Sequence, residues 1–136
     1  MVKNYFYLVV GLLCTLFAVT HTLNGTATVL PVLDNVGMEI SVKTTFTYVW
    51  HIIGVENFIL GIALLIMAFQ KNLSKVKFAV WLIIAILSVR WITIATFTIL
   101  NDSNAMKHLI PDTIAILVII VLLLLGTKVK SKVSDE

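Results

Sequence analysis

Charge is scarce in this chain. Of its 136 residues, 12% are Asp, Glu, Lys or Arg, against roughly 25% in an ordinary soluble domain. Cysteine is scarcer still. Cys14 stands alone, which excludes an intrachain disulfide and any Cys-rich metal or iron–sulfur site. It lies within an apolar run, where packing suits a thiol. Internal repeats and low-complexity tracts are missing too, so a solenoid or repeat array is excluded. What fills the chain instead is apolar: 60% hydrophobic residues and a mean hydropathy of +1.04. That composition indicates one integral membrane domain over residues 1–136. A net charge of +3 is compatible with a nucleic-acid partner. The lysines sit at helix ends on one side, however, which is a footprint of membrane topology and excludes a nucleic-acid partner.

Four runs are long enough to span a bilayer, which takes about 20 predominantly apolar residues. They cover Tyr5–Leu23, Phe46–Phe69, Phe78–Leu100 and Ile110–Gly126. The first follows Lys3, as the apolar region of a signal peptide follows its basic residues, but its apolar stretch is too long and no A-x-A-like site follows, so it is retained as a span. The expected fold is all-α: a four-helix transmembrane bundle. Lys3, Lys71, Lys75, Lys77, Lys128, Lys130 and Lys132 fall on one side and only Lys43 and Lys107 on the other. The positive-inside rule then makes both termini and the Lys71–Lys77 turn cytoplasmic. Tyr5, Tyr7 and Trp81 fall at the inner interface, Tyr48 and Trp50 near the outer one. Residues 127–136 read as a short basic tail, disordered from Lys128.

One long outer loop, Asn24–Thr45, is expected between spans one and two. Gly25, Pro31 and Gly37 argue against a continuous helix there. Six apolar residues between Leu30 and Ile40 suggest a segment lying in the outer interface or capping the bundle. A short helix extension and a turn is the plainer alternative.

Polar residues inside the spans are unevenly placed. Thr20, His21 and Thr22 end the first span; His51, Glu56 and Asn57 lie in the outer half of the second. Arg90, Thr93, Thr96 and Thr98 lie in the outer half of the third, and Pro111, Asp112 and Thr113 open the fourth. The inner half holds almost nothing polar beyond Cys14, Thr15 and Ser88. This distribution suggests a polar pocket open to the outer face, with His21, His51, Glu56, Asn57, Arg90, Thr93 and Asp112 as ligand-binding candidates.

Glu56 and Arg90 are the most informative pair. Each lies about 17 positions from the centre of the turn between spans two and three, so at about 1.5 Å per residue they reach nearly the same depth. An ionisable group there costs roughly 2.5–3.5 kcal/mol on insertion scales and needs a partner. A buried pair that fixes helix register is one reading; a head-group or proton-relay site is the other. His21 and His51 invite similar alternatives: interfacial histidines bonded to neighbours, hydrogen-bond donors to a quinone or sterol oxygen, or axial ligands of a haem b. Two histidines at similar depth are a weak haem signal. Asp112, just inside Pro111, is first a helix N-terminal residue facing the positive dipole end. His108 is given no role. Gly54 and Gly61 share one face and read as a close packing seam.

The stretch Glu56-Asn-Phe-Ile-Leu-Gly61-Ile-Ala-Leu-Leu65, followed by a short basic turn and another apolar span, resembles the second helix of the DoxX-like family of small four-span membrane proteins. Gly11–Ala18, followed by polar residues and a long outer connection, is similar in layout. Thr20–Thr22 departs from the family, which has a small residue and a lysine there. The resemblance implies a four-helix membrane protein beside redox and quinone chemistry.

Three functions follow as expectations: a protein binding a lipophilic or quinone-like molecule as accessory to a membrane redox system; a membrane enzyme doing acid–base chemistry on a lipid or sterol-like substrate, with His51 and Glu56 as catalytic candidates and Arg90 stabilising charge; and a small transporter or structural subunit. Lipid and a lipophilic small molecule are the expected partners, with a homodimer or larger membrane complex as further options. No metal site is expected. The expected location is a bacterial cytoplasmic (inner) membrane.

Overall fold

A computed structural model describes residues 1–129. Of the tail expected over 127–136, Thr127 and Lys128 complete the last helix, and residues 130–136 lie outside the described residues. Five α-helices account for most of the rest: α1 (Tyr5–Asn24), α2 (Leu30–Asn35), α3 (Ile40–Ala68), α4 (Lys77–Asn101) and α5 (Ile110–Lys128). A π-helical turn, Gly25–Val29, joins α1 to α2, and 3₁₀ turns at Leu73–Val76 and Ser103–Leu109 precede α4 and α5. Four segments are long and apolar enough to cross a membrane: Tyr5–Asn35, Ile40–Ala68, Leu73–Asn101 and Ser103–Lys128. The molecule is an all-α membrane protein of four spans.

The long outer loop is not formed. The first two spans are separated only by residues 36–39, so the structure is a helix extension and a turn. Of the three expected breakers, two are absorbed. Gly25 enters a π turn, which takes up an extra residue without ending the helix. Pro31 sits in the first turn of α2, where its missing N–H is not needed. Gly37 alone breaks the chain, with φ at +65°, a left-handed conformation that glycine adopts without a Cβ penalty. The turn is bridged by a Lys43–Asp34 ion pair. Val32, Val36, Met38 and Ile40 remain exposed, so the extension leaves most of its apolar side chains to the surroundings.

The chain forms two compact units. One comprises residues 11–65, most of α1 and α3. Its helices are held by small residues. A Cβ on Gly61 would stand 2.5 Å from Thr15 Oγ1 and 2.9 Å from the Gly11 carbonyl oxygen; a Cβ on Gly54 would stand 2.5 Å from Thr22 Oγ1. The seam expected of Gly54 and Gly61 is therefore present, with Gly11 facing it from α1. Without a hydrophobic drive between helices in lipid, such close approach supplies the contact energy.

The other unit comprises residues 1–10 and 66 onward. Asn4 organises the end at which α1 begins. The Asn4 side-chain oxygen accepts from the Phe6 and Tyr7 N–H groups at 3.1 and 3.3 Å, capping α1 as short polar side chains do. Its side-chain amide donates to the Gly126 carbonyl at 2.9 Å. The Lys3 and Asn4 N–H groups donate to the Ala68 carbonyl at 2.8 and 3.1 Å, satisfying an acceptor at the end of α3. The Tyr7 ring lies where a Cβ on Gly126 would be, 2.3 Å from that position. Around this clamp Val10, Ala68, Leu73, Val80, Ile83, Leu87, Ile119 and Leu123 are buried.

Candidate functional site

In the first unit, the polar groups where α1 ends and α3 begins are ordered by aromatic packing. His21, on the last turn of α1, stacks on Trp50 of α3, with centroids 4.4 Å apart and planes 8° from parallel. Two hydrogen bonds reinforce the stack reciprocally: His21 Nε2 to the Trp50 carbonyl at 3.2 Å, and Trp50 Nε1 to the His21 carbonyl at 3.1 Å. A carbonyl can only accept, so the first bond places a proton on Nε2. Phe46, one turn before Trp50, extends the stack at 6.1 Å. The indole rests against Gly25, where a Cβ would stand 1.8 Å from Nε1. Only a bare backbone admits the ring there, and the π turn begins at that residue. π-Helical turns recur at functional sites.

The other candidates on α3 follow closely. His51 is adjacent to Trp50, and Glu56 and Asn57 lie farther along the helix; all three are half-buried. His51 and Glu56, five residues apart, flank one face rather than stack.

In the second unit, α4 carries half-buried Arg90 and exposed Thr93, and α5 carries exposed Asp112 in its first turn. The Thr93 hydroxyl donates to the Val89 carbonyl at 2.9 Å, so what it can offer a ligand is an acceptor lone pair. A second tryptophan works here as Trp50 does in the first unit. Trp91 Nε1 donates to Thr113 Oγ1 at 3.0 Å, and that hydroxyl donates to the Leu109 carbonyl at 2.7 Å. α4 and α5 are thereby tied beside Arg90 and Asp112. Among the described residues, no three of His, Cys, Asp and Glu converge as a metal-binding set.

Of the sequence-predicted residues, the structure brings His21 to α3, where it stacks on and bonds to Trp50. By sequence Trp50 is an aromatic-belt residue, Gly25 a breaker and Phe46 the start of a span. Their joint role had one available signal: Gly25 lies one turn beyond His21, leaving room for a large ring. The class of the molecule is a small, multi-pass, all-α integral membrane protein with four apolar spans. No known protein family, curated protein or solved structure matches the chain.

Proposed function

We propose that the outer half of the bundle binds a lipophilic, quinone-like molecule and that the protein serves a membrane redox system as an accessory. One observation carries this reading: within three turns, α3 presents an aromatic platform, Phe46 and Trp50, and three half-buried polar side chains, His51, Glu56 and Asn57. A quinone needs both features. Its ring stacks on aromatic faces, and its carbonyl oxygens take hydrogen bonds from an imidazole or amide. Its tail suits the apolar walls usual in small-molecule sites. The Gly25–Trp50 contact and the His21 stack keep the platform rigid, which lowers the ordering cost of binding. The resemblance of Glu56–Leu65 to the DoxX-like family supports the redox setting and a bacterial cytoplasmic membrane.

Mass spectrometry of protein extracted in mild detergent is the direct test. A quinone should co-purify, and a short-chain quinone should quench tryptophan emission saturably. H51A and E56Q should each weaken that quenching. Absence of bound quinone together with non-saturable quenching would reject the reading.

A further inference from the structure

We propose that the lysine-rimmed inner end of the second unit is a binding site for the phosphate head groups of anionic phospholipids. The backbone brings the cations together. The Lys3 N–H is bonded to the Ala68 carbonyl, and Lys71 follows three residues later. Asn4 is bonded to the Gly126 carbonyl, and Lys128 follows two residues later. Lys75 and Lys77 are presented by the turn that Ala68 leads into. That turn is fixed at both levels: Leu73 is buried, and Asn72 Oδ1 accepts from Ser74 N and Ser74 Oγ at 3.1 and 2.5 Å. Lys71, Lys75, Lys77 and Lys128 are exposed.

Two further features favour an anion at this end and, among anions, a lipid head group. First, no acidic residue occurs in segments 1–10, 66–80 or 124–129, so these segments supply no carboxylate to compete with an incoming phosphate. Second, large aromatics stand outward within a turn or so of the lysines: Phe78 is 80% exposed, Tyr5 67%, and Phe69 and Trp81 52% each. Rings at that level pack against glycerol and upper acyl chains, while lysine stems lie along the apolar surface with the ammonium at head-group height. Basic residues bordering a transmembrane segment attract anionic lipid additively. The inference is independent of the quinone reading, which concerns the outer half.

Native mass spectrometry on detergent-purified protein, with phosphatidylglycerol or phosphatidylcholine added at equal concentration, tests this where membrane orientation plays no part. Phosphatidylglycerol should be retained preferentially, and K71Q/K75Q/K77Q should reduce its retention by roughly a hundredfold. K43Q/K107Q, at the outer ends, should leave it unchanged. Raising sodium chloride should strip the lipid from unaltered protein, so the proposal stays testable if the triple variant does not fold. Equal retention of the two lipids, or full retention by the folded triple variant, would overturn it. Inorganic phosphate displacing the lipid far better than chloride at matched ionic strength would also overturn it, in favour of a free-phosphate site.

Discussion

Trp50 and Tyr7 are both aromatic residues laid against a glycine, with opposite polar outcomes. The Trp50 indole N–H is spent on the His21 carbonyl. The Tyr7 hydroxyl, fully buried, finds no partner among the described residues. A buried hydroxyl left unpaired costs roughly 1–3 kcal/mol. Y7F should therefore melt at the same temperature as the parent or higher, while Y7A should lose about 3–5 kcal/mol by emptying the space over Gly126. G25A should act on the other glycine by pushing the indole off its seat. The expected result is a loss of about 1–3 kcal/mol and a weaker near-ultraviolet tryptophan signal. At this scale the sequence is only partly legible. It places His21 by depth along the membrane normal, but a stacking partner depends on azimuth and on which neighbour leaves room. The stack becomes visible only when Gly25 is seen as space rather than as a break.

At the scale of the element, α1 and α3 are matched by small side chains. G61V would set a branched side chain 2.5 Å from Thr15 Oγ1 and 2.9 Å from the Gly11 carbonyl oxygen at its first carbon. The carbonyl belongs to helix backbone and cannot turn aside. The expected loss is about 1–3 kcal/mol, read from thermal denaturation in detergent, with V55A on an exposed position of the same helix as a near-neutral control. The Gly54–Gly61 seam was legible because two glycines on one face have few uses in a membrane helix. The α1–α3 connection is not legible from residue type alone, by which Gly25 and Pro31 are helix breakers. Their effect depends on position: a proline costs little in a first turn, and a glycine can enter a π turn.

At the scale of the molecule, the four spans were legible because span length and apolarity are set by bilayer thickness, a constraint written directly into composition. Function was less legible. Polar residues such as His51, Glu56 and Arg90 give a depth and a chemistry, but sequence does not give the direction each side chain faces. Orientation rests on the lysine bias, and it has a clean test. With Cys14 replaced by Ser, S74C in intact cells should resist an impermeant thiol reagent and react with a permeant one. Labelling by the impermeant reagent would reverse the assigned topology.

The bond from Asn4 to Gly126 has a consequence for biosynthesis. Its partners are 122 residues apart, and at ribosomal rates Gly126 emerges on the order of ten seconds after Asn4. The α1–α3 seam, contained within residues 11–65, can assemble while translation continues. The Asn4 clamp must wait for the fourth span to enter the bilayer. A chain stalled before that point would hold a finished seam and an open clamp, with Asn4 and Tyr7 accessible to whatever chaperone or protease surveys half-made membrane proteins.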